Sequence, residues 1–275
     1  MGHTRTGRNL MGVTAAALLL VPLGAATANA QDVACGETVT DNITLQDDLV
    51  NCPHGKNGLT IGADGVTVNF NGHKIIGSSG SATGIDNSDG HNGVKILGDG
   101  FISGFTDGLK IRDSRGVQVS GLTIQGNAGI GLRVSNSRNG RFLNLRVVGN
   151  HAGGAAFADG ADDNEIRSVS FISNGADGLV VAGDANMVAG NWATANAGDG
   201  FVVEAGATST QLSENRATGN TGNGFSIESA GTRLKANVAQ KNTKRGIDAV
   251  GGTSDAGNNQ ASGNGDSPQC ASVNC

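Results

Sequence analysis

Apolar and polar residues alternate along this chain in runs of only three or four, and the runs recur behind a glycine. The unit Gly-apolar-any-apolar is read at Gly108-Leu109-Lys110-Ile111, Gly131-Leu132-Arg133-Val134, Gly154-Ala155-Ala156-Phe157, Gly178-Leu179-Val180-Val181, Gly200-Phe201-Val202-Val203 and Gly224-Phe225-Ser226-Ile227, with shorter forms at Gly84-Ile85 and Gly246-Ile247. Successive glycines lie 24, 23, 23, 24, 22, 24 and 22 residues apart. Within one repeat, Leu109-Lys110-Ile111 alternates, Asp113-Ser114-Arg115-Gly116 turns, Val117-Gln118-Val119 alternates again and Leu122-Thr123-Ile124 makes a third run. Period-2 alternation over so few residues predicts three short half-buried strands per repeat. Strands that short are not stable as a meander. Stacked on the equivalent strand of the next repeat they form parallel sheets around a buried interior, as a fixed period of this length requires.

The predicted fold is therefore all-β: a single-stranded right-handed parallel β-helix of 22–24-residue coils, its hand following the rule for parallel crossover connections. About nine coils from Gly58 onward make a rod on the order of 40 Å long at the spacing of paired strands. The expected organisation is a signal at 1–30, a cap at 31–57, the β-helix at 58–265 and a tail at 266–275. Leucine-rich repeats need an L-x-x-L-x-L-x-x-N line and calcium rolls need G-G-x-G-x-D. Neither is present, and the glycine density disfavours helical repeats.

A second column keeps the same step. Asn127, Asn150, Asn174, Asn196, Asn220, Asn242 and Asn264 are spaced 23, 24, 22, 24, 22 and 22. Glycines and asparagines are expected at corners, where a positive φ or a side-chain-to-backbone bond is needed. An asparagine repeated at one corner is also able to bond its copies above and below as a ladder.

Both ends carry different information. Arg5 and Arg8 precede the apolar run from Gly12 to Leu23, and Ala28-Asn29-Ala30 supplies a small-x-small cleavage site. The run is shorter than the roughly 20 residues of a membrane span, so general secretion without an anchor is expected. Removing residues 1–30 takes away two arginines and no acid, leaving 17 Lys+Arg against 24 Asp+Glu, a net charge of −7. That balance argues against a nucleic-acid partner. Cys35, Cys52, Cys270 and Cys275 allow three pairings. Cys35–Cys52 and Cys270–Cys275 are favoured, because the intervening repeats hold the two pairs far apart.

The segment Leu59-Thr60-Ile61-Gly62-Ala63-Asp64-Gly65-Val66-Thr67-Val68-Asn69-Phe70-Asn71-Gly72-His73, with the coils after it, resembles the opening of right-handed parallel β-helix proteins of the pectate-lyase-like superfamily, particularly secreted actinobacterial members. The resemblance spans roughly 35–265 and implies a fold more narrowly than an activity, since that superfamily holds lyases, hydrolases, epimerases and proteins without known chemistry. Members that cleave uronate polymers by β-elimination use a basic side chain as proton acceptor, with calcium or a second cation on the carboxylate.

Alternation also fixes which side chains face outward on the first sheet: Asp86 and Ser88, Lys110 and Arg112, Arg133 and Ser135, Ala156 and Ala158, Val180 and Ala182, Val202 and Glu204, Ser226 and Glu228, Asp248 and Val250. The strip grades from basic through apolar to acidic. Lys110 and Arg112 are the candidate catalytic bases and Asp86 and Arg133 candidate substrate-binding groups, within roughly 5–10 Å of one another across neighbouring coils. The plainer alternative is a solvated face with Asp86 paired to Lys110. Asp107, Asp177 and Asp199 precede repeat glycines and read as turns. Asp159, Asp162 and Asp163 form an acidic loop that is open to calcium, and His54, His73, His91 and His151 lie without zinc spacing. The paired-acid and Gly-His-Gly signatures of polygalacturonases and the Asp-Pro-His-Asp of mannuronan epimerases are absent, which counts against both activities. Two functions stay open: a polysaccharide- or cell-surface-glycan-directed lyase or epimerase, and a non-catalytic extracellular rod. In either case a monomer is expected.

Overall fold

The computed structural model describes residues 1–2 and 33–275. The expected secretion signal and its cleavage site lie outside the described residues. The chain winds as a right-handed solenoid of about ten turns, its 27 strands joined into one continuous hydrogen-bonded ribbon in which each strand pairs in parallel with its equivalent one coil away. Three faces result. The first carries Leu179–Val181, Phe201–Val203 and Phe225–Ile227; the second Met187–Ala189 and Gln211–Ser213; the third Trp192–Thr194 and Arg216–Thr218. Coil strands extend to both sides of the 58–265 span. Glu37–Val39 already pairs with Leu59–Ile61, and Cys270–Ala271 pairs with Ile247–Ala249. Cys35 is bonded to Cys52 across a Cα–Cα distance of 5.2 Å, and Cys270 to Cys275 across 6.3 Å.

The residues one and three places after each repeat glycine point inward and are buried, while the residues between them face out. Aromatic rings pack against one another in the interior: Phe171 meets Phe201 edge-on at 6.3 Å, and Phe201 stacks on Phe225 at 5.0 Å.

The repeat glycines serve a purpose other than the one expected. Their φ values are ordinary; what they need is room. A Cβ on Gly200 would lie 2.6 Å from the carbonyl oxygen of Gly224 and 2.9 Å from the Ala217 methyl. Positive φ falls instead on the residue just before each ladder asparagine, at Gly126, Gly149, Ser173, Ala195, Gly219, Lys241 and Gly263, with values of 52–66°. This left-handed step turns the chain sharply enough to aim the next side chain down the axis.

Those asparagines form a continuous buried ladder. Asn174 donates from Nδ2 to Asn196 Oδ1 at 2.9 Å and to the Val147 carbonyl at 3.2 Å, and its backbone N–H donates to the same Asn196 oxygen at 3.0 Å. The pattern holds from Asn127 through Asn150, Asn174, Asn196, Asn220 and Asn242 to Asn264. Gln269 closes it, its Oε1 accepting from both the backbone N–H and Nδ2 of Asn264 at 2.9 and 2.8 Å. A second full ladder, Asn191–Asn215–Asn237–Asn259, lines another corner, and Asn164–Asn186 begins a third that threonines continue. Within the main ladder, each amide from Asn150 to Asn242 uses both Nδ2 protons and its oxygen, as burial demands.

Candidate functional site

Strand pairing on the first face puts Thr60, Asp86, Lys110, Arg133, Ala156 and Val180 in one register column, one residue per coil. Lys110 and Arg133 are therefore direct neighbours, about 4.8 Å apart at the backbone. Arg112 stands one column over, opposite Ser135. The sequence-predicted cluster is brought onto one face, without the Asp86–Lys110 pair of the plainer alternative.

Asp86 does not turn to Lys110. Its carboxylate accepts from the Ser88 N–H at 3.1 Å, from the Ser88 hydroxyl and from Asn57 Nδ2 at 3.2 Å. Three nearby donors satisfy it locally, so the long lysine need not bend back. Arg112 pairs with its sequence neighbour Asp113, Nε to Oδ2 at 2.9 Å. Asp113 is in the left-handed region at φ 52°, and the Asn136 amide, followed by Arg112, holds its carboxyl below the usual range. Among the described residues no carboxylate pairs with Lys110.

Arg133 owes its position to Asp107, which the sequence had suggested was only a turn residue. Asp107 is nearly buried; its Oδ1 accepts from the Ile130 N–H at 3.0 Å and its Oδ2 from Arg133 Nε at 3.1 Å. The carboxylate anchors one coil to the next and orients the guanidinium above it. Further along the column the same position accepts from backbone N–H groups: Asp177 from Asp199 at 2.6 Å, Asp199 from Asn223, and Asn223 from Arg245 at 3.0 Å. Burial pushes the Asp199 carboxyl above its ordinary range, and the charge of Asp177 adds to that.

Beside Arg133 the face opens into a shallow depression of about 440 Å³ whose floor is Ala156, Ala158, Val180 and Ala182, with Ser135 at one end and Glu204 at the other. The face thus offers a cationic pair, then a flat apolar shelf, then acid. In the acidic loop Asp162 is already engaged. Asp162 spends one oxygen on the Asp184 N–H at 2.9 Å and faces Arg138 with the other at 3.6 Å, and the described residues contain no group of three or more metal-binding side chains. His73 and His91 sit against Asp48 and Asp64 at 3.2 and 3.5 Å, on other parts of the surface.

The model of the right handed beta helix region matches residues 34–193 and again 107–265, nearly the whole solenoid. The chain belongs to this family. No curated protein matches it in sequence. Among solved structures, this β-helix is similar to a periplasmic alginate epimerase (TM-score 0.54, 15% identity, 88% of this chain and 78% of that one). It is also similar to the A-module of a mannuronan C-5 epimerase from Azotobacter vinelandii (0.51, 13%, 77% and 72%) and to a pectate lyase (0.50, 16%, 87% and 71%). At these identities the likeness is one of fold. The neighbours are polysaccharide epimerases and lyases built on the same coil.

Proposed function

We propose that this β-helix is a secreted protein that holds an acidic polysaccharide across the outer face of its first sheet. The observation that carries the reading is the adjacency of Lys110 and Arg133 in one register column, bordered by a flat apolar shelf. Cations one coil apart suit the carboxylates of a uronate chain, and alanine and valine side chains suit the C–H faces of its rings. Arg112 adds charge at the rim. The alginate and pectate substrates of the structural neighbours fit this class of ligand.

In this reading Lys110 is the group that does chemistry there. In β-elimination it takes the proton beside the carboxylate, the electrons form the 4,5 double bond, the glycosidic C–O bond breaks and the departing oxygen takes up a proton; epimerisation returns a proton to the opposite face instead. A second reading, a non-catalytic glycan-binding rod, is favoured by the pairing of Arg112 with Asp113 and of Arg133 with Asp107, which leaves one cation without a carboxylate. Titration of the protein with oligogalacturonate and oligomannuronate, followed in parallel by the ultraviolet absorbance of unsaturated products and by proton NMR of inverted uronate residues, separates the two. The enzymatic reading expects products that Lys110→Ala abolishes, and the rod reading expects binding without them. Binding unchanged in both Lys110→Ala and Arg133→Ala would remove the site altogether.

A further inference from the structure

The chain has one tryptophan and no tyrosine, and seven of its eight phenylalanines are fully buried. Trp192 breaks that economy. It lies on the third face, outward on Trp192–Thr194, with 48% of its surface exposed. An outward position on a β-helix needs no aromatic ring, and the register neighbours of Trp192 are a serine and an arginine, Ser170 and Arg216. Exposing an indole on a flat strand face forgoes the stabilisation that burial gives it.

Its surroundings suit a particular ligand. Arg216, one coil on, is tethered along the sheet: its Nε donates to Thr218 Oγ1 at 3.3 Å and its Nη2 to Gln240 Oε1 at 2.6 Å. Arg146 stands two coils before the indole in the same column, about 10 Å away at the strand spacing. Among the described residues neither arginine has a carboxylate partner. In a chain of net charge −5, two such cations flanking an exposed ring mark a local site for an anion. The indole face is electron-rich and attracts polarised C–H groups as well as cations. A pyranose presents just such a C–H face, and a uronate adds the carboxylate that Arg216 is held to meet.

We infer that the third face, centred on Trp192 and Arg216, is a second carbohydrate-binding surface that stacks one ring of an acidic polysaccharide on the indole. Its ligand class is the one proposed for the first sheet, but its residues lie on a different face of the coil, so each surface is testable without the other. With two such faces a single rod engages two chains, or two stretches of one chain.

Because Trp192 is the sole tryptophan, its emission reports on this surface alone. Titration of the intact protein with oligogalacturonate should change that emission saturably, in the wild type and equally in Lys110→Ala. A neutral cello-oligosaccharide should do so more weakly. Calorimetry at this surface in a Lys110→Ala/Arg133→Ala background should show about a tenfold loss of affinity for Arg216→Ala and for Trp192→Ala, with Trp192→Phe retaining part of it; tenfold corresponds to about 1.4 kcal/mol. Emission that ignores saturating oligosaccharide, or a Trp192→Ala protein that binds like its parent, overturns the inference. So does an emission change that follows protein concentration without sugar and coincides with dimers in sedimentation, which would give the face to a second copy of the chain. Should the first-sheet reading fail, Lys110→Ala would bind like wild type while the emission response of Trp192 persisted.

Discussion

The two halves of the solenoid keep the same coil closed by different means. From Asn127 onward the corners are fastened by repetition, the same amide bonding the same neighbours one coil away. Before Asn127 each coil is fastened in its own way. Lys74–Asn87 and Lys95–Arg112 run unbroken around corners, with register shifts between Ile76 and Ser81 and between Leu97 and Gly100. There the Ser81 hydroxyl donates to the Cys52 carbonyl at 2.6 Å, Asn57 reaches Asp86, and a disulfide joins Cys35 to Cys52. The cations of the first face sit at the junction, from Lys110 to Arg133. Uniform fasteners make uniform coils; individual ones leave outward positions open to charge and loop variation.

That contrast predicts graded effects. The largest belongs to the N-terminal half: removing the Cys35–Cys52 bridge by paired alanines should cost about 3 kcal/mol in the chain-entropy account of an 18-residue loop, measured by denaturant unfolding. A loss confined below 1 kcal/mol would show that the first coil is held without it. In the C-terminal half, Asn174→Ala should cost on the order of 1–3 kcal/mol by stranding the Val147 carbonyl and the ladder partners on either side. The double variant Asn174→Ala/Asn196→Ala should cost less than the sum of the singles, since they share a bond; strict additivity would mean the ladder is a row of independent contacts.

A smaller effect tests the aspartate column of the first face. The Asp199 carboxyl is raised in the folded protein, so what it contributes to stability is fully present below its unfolded value, near 4, and is lost as pH rises through the higher folded value. Asp199→Asn, which copies Asn223 in the same column, should therefore stabilise at neutral pH, by less than about 1 kcal/mol given partial solvent screening. The gain should vanish in acid. A gain that grew on acidification would reverse the assignment. Least affected should be Arg112→Ala, whose exposed pair with Asp113 predicts a change within about 0.5 kcal/mol, while glycan affinity falls.

Much of the fold was legible before any coordinates. Glycine spacing gave the coil length, and alternation gave the outward column from Asp86 to Asp248. The purpose of the repeat glycines was not, because close approach and positive φ ask for the same residue; only the Gly224 carbonyl above Gly200 tells them apart. The ladder through Asn191, Asn215, Asn237 and Asn259 has the same 22–24 spacing as the first, but it starts late and is masked by the longer column. Pairings within the site were hidden for a different reason. Asp107 reaches Arg133 from the preceding coil and Asp113 bends back on Arg112 through a left-handed backbone step, and neither contact follows from alternation. Trp192 is a single residue on a face without repeated chemistry, so no periodic pattern marks it.

Every rung of the main ladder points the same way: amide nitrogens of one coil donate to the oxygen of the next, never the reverse. The column is therefore a directional template, and any coil whose donors stay unfilled invites another strand to continue it, as an unprotected sheet edge does. Gln269 ends this. One methylene longer than asparagine, it folds back so that its oxygen fills the open donors of Asn264 while its nitrogen is spent on the carbonyls of Asn264 and Asp266, at 3.1 and 2.7 Å. A single side chain thereby acts as a stop signal written in hydrogen bonds, leaving the last rung of the ladder no open donor.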